Sequence, residues 1–222
     1  MTVNAEVKTH TDWLYSRVMT YRLLSEMLQR KPTLSKLIEW RREAGRVLQL
    51  SARPHTLLLT LDDTPLANII QDANQQCCVY EQLIEQHGLP LGIRAAQYVR
   101  AGQEPCEYEA MLNSVYSRAG ITFKKTAQET DDHIGIELEF MSLLAERLAE
   151  SEGNTLEQIN VIQAQLDFME HYLQPWVPAL CQQLQQQATH SLYGQWADMV
   201  LAYLEQDQED LRHYAAELRY AQ

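Results

Sequence analysis

The sequence is poor in residues that break secondary structure, with 8 glycines and 7 prolines among 222 residues. All-β sandwiches and barrels need a turn signal roughly every ten residues, so this scarcity argues against them. A run of about 20 apolar residues, which a membrane-spanning helix needs, is also missing. Met1–Leu14 carries charged residues and no apolar core, unlike a signal peptide. We therefore expect a cytoplasmic protein with no membrane-spanning segment.

Positively charged residues are also few: the chain has 18 Lys and Arg but 30 Asp and Glu, a formal net charge of -12. Nucleic-acid binding needs a basic face to meet the phosphate backbone, and anionic membrane surfaces also attract basic segments. The composition argues against both kinds of partner. It is compatible with a basic peptide partner, and equally with an ordinary acidic cytosolic protein.

Cysteine and histidine are too few and too scattered to suggest a metal site. The four cysteines are Cys77, Cys78, Cys106 and Cys181, a spacing that matches neither a zinc finger nor a C-x-x-C pair, and we expect buried free thiols. No two histidines lie four residues apart. Glu129 and His133 are one residue too far apart for a di-iron Glu-x-x-His motif, which also has no second copy. The sequence predicts no metal and no cofactor.

Common enzyme motifs are missing as well, because there is no Gly-x-Ser-x-Gly elbow, Walker loop or dinucleotide fingerprint. Asp132 and His133 suggest an acid that orients a histidine base. However, adjacent residues on a helix do not face each other, so that geometry is poor. We expect a protein that is not an enzyme.

Apolar residues at helical spacing fill most of the chain and predict an all-α fold, a single globular bundle of about ten helices. Residues 1–10 are expected to form a flexible tail, residues 11–222 the helical domain, and residues 120–129 a candidate hinge. The first helix is expected near Thr11, with Thr11 or Asp12 as its cap. Leu57–Leu61 is expected to be a loop or a short buried helical turn. Leu180–Leu201 and Asp210–Tyr220 are predicted as two separate amphipathic segments.

Residues 129–141 predict the central helix of the bundle. Thr130, Asp131 and Asp132 can each cap its N-terminus and complement the helix dipole. A core-facing stripe follows, and its members are Ile134, Leu138, Met141, Leu144 and Leu148. His133 falls off that stripe, so we expect it at the surface or in a groove, with Glu137 as a local partner.

The pattern Glu-x-x-Asp-His, followed by Ile-x-x-Glu-Leu-x-Phe-Met-x-x-Leu, resembles the signature of the TorD/DmsD/NarJ-type chaperones. Tyr116-x-x-x-Gly120 and Trp176-x-Pro178 resemble two further elements of that family, and are expected to be structural. Two departures stand out. Asp131 takes the place of the usual proline before the Asp-His pair, and the family's Pro-Tyr-Glu-Ser element is not recognisable around Gly92–Tyr98.

The resemblance implies a cytoplasmic chaperone that binds the catalytic subunit of a molybdenum-cofactor oxidoreductase through its twin-arginine signal peptide, as a monomer or a domain-swapped homodimer. The residues that it assigns to peptide binding are Asp132, His133, Glu129, Tyr80 and Ile84. One alternative is a chaperone for the mature region of a non-exported, nitrate-reductase-type subunit. Another is a helical metal protein or enzyme with an unrecognised site.

Overall fold

The computed structural model describes residues 9–65, 67–85, 91–98, 105–124 and 130–220, apart from the side chains of residues 105 and 106. Nine α-helices and no β-strand lie in these ranges, which confirms the all-α prediction. The helices are α1 His10–Gln29, α2 Leu34–Leu50, α3 Thr56–Asp63, α4 Ile69–Tyr80, α5 Pro105–Arg118, α6 Ile134–Glu150, α7 Thr155–Phe168, α8 Val177–Ala188 and α9 Leu192–Tyr220. Short π-helical turns, Glu81–Glu85 and Met169–Leu173, extend α4 and α7.

Helix α6 lies at the centre of the bundle, as its wide apolar stripe predicted. Even off-stripe positions such as Gly135 and Ser142 are buried, because α1 packs along one side and α7 along another. Buried polar side chains at these contacts need hydrogen-bond partners, and backbone carbonyls of neighbouring helices supply them. Ser142 Oγ donates to Val18 O at 3.0 Å, and Ser25 Oγ donates to Gly135 O at 2.8 Å. Helices α1 and α6 are therefore joined by hydrogen bonds as well as by apolar packing.

The N-cap of α1 lies two residues before the first predicted one. Thr9, and not Thr11 or Asp12, is the N-cap, and it forms a capping box with Asp12. Thr9 Oγ1 accepts from Asp12 N at 3.0 Å, while the Asp12 carboxylate accepts from Thr9 N at 2.8 Å. His10 is thus helical, although the sequence suggested that it belonged to the tail. A capping box satisfies two backbone donors at once, which favours the earlier start.

Two further predictions need comment. Leu57–Leu61 lies within α3, where Leu57, Leu58 and Leu61 are buried, so the short buried helix is the correct alternative. The division of the C-terminal region is wrong. The break falls at residues 189–191, after α8, and α9 then runs unbroken for 29 residues.

A charged pair lies inside the bundle between α1 and α9. Arg17 Nε donates to Asp207 Oδ1 at 2.5 Å and Nη2 to Oδ2 at 2.9 Å, with both side chains at most 2% exposed. Gln165 Oε1 also accepts from Nη2, and the Tyr21 hydroxyl donates to Asp207 Oδ2. Burial alone would lower the pKa of Arg17, but the adjacent Asp207 carboxylate outweighs it and holds that pKa above its ordinary value. The pair joins α1 to α9.

The expectation of buried thiols is correct for one described cysteine only. Cys181 is buried, Cys77 is partly buried and Cys78 is exposed on α4, all three as free cysteines. Burial raises the pKa of the Cys181 thiol to about 12. Adjacent positions on a helix point in different directions, so Cys77 and Cys78 cannot both face the core.

Candidate functional site

Asp132, the acid of the signature, is fully buried and accepts hydrogen bonds on both carboxylate oxygens. Its Oδ1 accepts from Arg94 Nε at 3.0 Å and from Thr130 Oγ1 at 2.5 Å. Its Oδ2 accepts from the backbone N–H of Ala96 at 3.1 Å. A buried carboxylate is stable only when it is paired and hydrogen-bonded, and these three donors meet that requirement.

The donors come largely from the segment 91–98, which lies against the start of α6. Arg94 and His133 form an isolated antiparallel bridge. On either side of it, Ala95 N donates to Asp132 O at 2.9 Å, and Ile134 N donates to Ile93 O at 3.0 Å. A single 3-10 turn, Ala95–Gln97, is the helical part of segment 91–98. The segment behaves as a short strand because the backbone of residues 132–134 offers it hydrogen bonds.

His133, and not one of the three residues before it, caps α6. Its Nδ1 accepts from Gly135 N at 3.0 Å, so the ring proton of the neutral imidazole lies on Nε2. The side chain is 7% exposed, which corrects the expectation of a surface position. Segment 91–98 explains the burial, because it covers the face of the signature that the helix leaves open.

The sequence suggested that Glu137 pairs with the His133 side chain. In the structure, the Glu137 carboxyl group bonds to Trp176 instead. Its Oε2 accepts from Trp176 Nε1 at 3.2 Å, and both side chains are fully buried. The other oxygen, Oε1, has no partner among the described residues, and neither does the nearby Tyr108 hydroxyl. Burial raises the pKa of Glu137 well above its ordinary value, the Trp176 bond opposes this, and the Asp132 carboxylate adds to it. The site therefore favours the neutral acid more than water does.

The residues expected to be structural lie close to this cluster. The Tyr116 hydroxyl donates to Asp131 O at 2.9 Å, and its ring packs against Phe140 with centroids 4.7 Å apart. Gly120 follows α5 with φ +72°, a left-handed conformation that glycine adopts without strain. Trp176 is the N-cap residue of α8, so Pro178 lies in the first turn, where no intrahelical N–H is needed.

Two other predicted peptide-binding residues, Tyr80 and Ile84, lie at the end of α4 and in the turn that follows it. The Tyr80 hydroxyl donates to Leu28 O of α1, and its ring lies 6.0 Å from that of Tyr193 on α9. Ile84 is half-buried in the π-helical turn after α4. That turn is joined to the start of segment 91–98, because Leu91 N donates to Leu83 O at 2.8 Å. Glu129 lies outside the described residues.

Arg94 and Glu109 are site residues that the sequence reasoning missed. The Arg94 guanidinium donates through Nε to Asp132 and through Nη2 to the Glu109 carboxylate on α5. The Arg94 and Glu109 side chains are 36% and 30% exposed, so this bridge is the visible part of an otherwise buried cluster. No local pattern relates residues 94, 109 and 132, because they approach one another only in the folded chain.

A cavity of about 540 Å³ lies between α1, the α2–α3 connection and α9. Arg17 and Asp207 line it, and the rings of His10, Trp13 and Tyr214 form one wall with centroids 4.2 to 5.6 Å apart. Arg17 falls three residues after Leu14 and four before Tyr21, on the apolar stripe of α1. A charge on a core-facing stripe was the sequence signal for this region.

Neither a metal cluster nor a membrane-spanning helix is found within the described ranges. No group of three or more His, Cys, Asp or Glu side chains there could hold a metal ion. None of the described helices is both long and apolar enough to cross a bilayer.

The chain is thus an all-helical bundle with an Asp-His pair at the start of its central helix. A family model described as the nitrate reductase delta subunit matches residues 96–182, from within segment 91–98 to the middle of α8. A protein named Chaperone protein TorD from Vibrio cholerae serotype O1 (Classical Ogawa 395) is 30% identical over 101 residues. Its namesake from the El Tor Inaba strain is 30% identical over 92 residues. Over the matched residues, these similarities agree with the predicted resemblance to the TorD-type chaperones.

The matched segments are partial. They cover 45% of the chain and 45% of the first relative, and 41% of each chain for the other. The chain therefore matches less than half the length of these relatives. Both are named chaperones, which supports the expectation that the chain is not an enzyme.

Proposed function

We propose that the chain is a cytoplasmic chaperone for the catalytic subunit of a molybdenum-cofactor oxidoreductase. It binds the subunit through its twin-arginine signal peptide, assists folding and cofactor insertion, and delays export until both are complete. The observation that carries this proposal is the guanidinium bound between Asp132 and Glu109. The signature carboxylate lies where an arginine side chain can be held, and arginine is the feature that such leaders share.

Physical chemistry supports a basic peptide as the ligand. Guanidinium groups bind carboxylates through parallel, charge-assisted hydrogen bonds that an ammonium group cannot reproduce. The net charge of -12 also favours encounter with a basic peptide. Tyr80 and Ile84 lie at the end of α4 that leads into segment 91–98. The proposal assigns them to the apolar part of the leader, next to the arginine site.

The first test measures binding of a labelled twin-arginine leader peptide by fluorescence anisotropy. Glu109→Gln should weaken binding several-fold, because one carboxylate of the arginine site loses its charge. Glu146→Gln is the matched control, since Glu146 is an exposed glutamate of α6 that lies 3.9 Å from Arg22. Equal affinities for wild type and Glu109→Gln would remove Glu109 from the site. Absence of any leader binding by the wild type would contradict the leader proposal.

The second test identifies the client. The tagged chain is isolated from anaerobically grown source cells and its partners are identified by mass spectrometry. Co-purification of one molybdoenzyme catalytic subunit that carries a twin-arginine leader supports the proposal. Co-purification of a subunit without a leader would favour the alternative, binding to the mature region of a non-exported enzyme.

A further inference from the structure

The single guanidinium group of Arg94 donates hydrogen bonds to two carboxylates. Its Nε donates to Asp132 Oδ1 at 3.0 Å, and its Nη2 donates to Glu109 Oε1 on the far side. Asp132 has no free oxygen, because Oδ1 also accepts from Thr130 and Oδ2 accepts from Ala96 N. An arginine from outside can therefore reach this acid only by replacing a donor that is already present.

Arg94 is the donor that can leave. Thr130 and the Ala96 N–H are local to the site, whereas the Arg94 side chain reaches in from a one-third exposed position. Several bonds hold segment 91–98 in place: Ala95 N to Asp132 O and Ile134 N to Ile93 O between backbone atoms, and Ala96 N to Asp132 Oδ2 and the Tyr98 hydroxyl to Gln183 Oε1 with side chains. None of them uses the Arg94 side chain. The guanidinium can swing into water while the segment stays in position.

Exchange of one guanidinium for another leaves the net charge of the site unchanged. If Arg94 left without a replacement, the buried Asp132 carboxylate would lose its counter-charge, which is costly. A client arginine prevents this by forming equivalent bonds. The site also has two carboxylates for one guanidinium, while a twin-arginine leader provides two. Full neutralisation of Asp132 and Glu109 therefore needs the client.

We infer that Arg94 occupies, in the free chain, the guanidinium site between Asp132 and Glu109 that a client arginine takes on binding. The inference rests on the proposed function, and deepens it by naming the internal competitor. Any ligand must displace the same guanidinium, so Arg94 sets the affinity of the site below its maximum for every ligand. The preference for arginine over lysine comes from the carboxylates, which a guanidinium fork matches and an ammonium group does not.

The test compares two arginine-to-glutamine variants with the same change in net charge. Arg94→Gln removes the competitor and leaves the backbone bonds of its segment intact. Arg53→Gln is the control, because Arg53 pairs at 3.0 Å with a different carboxylate, Asp210, and is 61% exposed. Each variant is titrated with a labelled leader that contains the arginine pair, and with one in which both arginines are lysines. Circular dichroism and thermal unfolding establish that each variant is folded.

Arg94→Gln is expected to bind the arginine leader about tenfold more tightly than Arg53→Gln does, since a lost charge-assisted competitor is worth about that much. The lysine leader should gain by a similar factor, because it displaces the same competitor, and should still bind more weakly than the arginine leader. If Arg94→Gln does not fold, Arg94→Lys against Arg53→Lys provides the same comparison with a smaller expected gain.

Three results overturn the inference and differ in what they imply. If the wild type binds the arginine leader and the Arg94 variant binds it no more tightly than the Arg53 variant, Arg94 is only a structural tie, and the proposed function stands. If no variant binds any leader, the proposed function fails as well. A weaker Arg94 variant would also overturn the inference, since it would place Arg94 in direct contact with the client.

Discussion

Glu137 is the residue whose ionisation should be most visible in the stability of the protein. It is fully buried, accepts one hydrogen bond from Trp176, and has a pKa well above the ordinary value of 4.5. Above about pH 4.5 the unfolded chain releases this proton while the folded chain retains it. The free energy of unfolding should therefore fall with rising pH by about 1.4 kcal/mol per unit, until the pH passes the raised pKa.

Glu137→Gln should remove this loss, because the amide cannot ionise and its oxygen still accepts from Trp176 Nε1. We expect the variant to gain stability relative to wild type as the pH rises above about 4.5, measured by urea unfolding at several pH values. Glu146→Gln, at a 45% exposed position of the same helix, is the control. Parallel pH profiles of wild type and Glu137→Gln would show that Glu137 is ionised in the folded protein throughout this range.

Individual residues also show what sequence could and could not predict. Arg17 and Asp207 lie on the apolar stripes of α1 and α9, so a buried pair was readable from helical spacing once both stripes were drawn. Arg94 had no such signal. It lies in an irregular segment, and its partners Asp132 and Glu109 follow 38 and 15 residues later. Only the folded backbone brings these three charges together, so the sequence located the signature but not its guanidinium.

The corner between α8 and α9 depends on a glycine. A Cβ at Gly194 would lie 2.5 Å from Ala188 O and 3.0 Å from Thr189 O, which are backbone atoms of the preceding turn. Backbone cannot move aside as a side chain can. We expect Gly194→Ala to destabilise the protein by about 1–3 kcal/mol, the range for overpacked cores, measured by thermal or urea unfolding.

Gly45→Ala is the matched control, since Gly45 also lies inside a helix. Its added Cβ would meet the Asp62 carboxylate at 2.8 Å, the end of a side chain that can turn away. Alanine is favoured over glycine in a helix by about 1 kcal/mol, so Gly45→Ala should be neutral or stabilising. Equal effects of the two substitutions would mean that the α8–α9 corner can open without cost.

The same corner explains an element that the sequence placed wrongly. Apolar residues continue at helical spacing across the boundary of α8 and α9, and periodicity alone gave one segment from Leu180 to Leu201. The break at residues 189–191 is set by the close approach at Gly194 and by Ser191, whose Oγ accepts from Tyr193 N and Gly194 N. By contrast, α6 was predicted well because its stripe is wide and its start is polar.

At the scale of the whole molecule, charge and fold have different consequences for binding. In the proposed function, the fold determines where a client arginine is held, whereas the net charge of -12 acts before contact, by attracting a basic peptide from solution. Long-range attraction is screened by salt, while a bound and partly buried ion pair is screened much less. The association and dissociation rates of a leader peptide should therefore respond differently to ionic strength.

We expect the association rate constant of a twin-arginine leader to fall about tenfold between about 0.05 M and about 0.5 M salt, with a much smaller change in the dissociation rate constant. Stopped-flow anisotropy measures both. A leader with both arginines replaced by glutamine is the control, and its association rate should depend less on salt. If salt instead changed mainly the dissociation rate, the attraction would act within the complex. The exposed rim around Glu109, rather than the charge of the whole chain, would then be the part of the protein that recognises the leader.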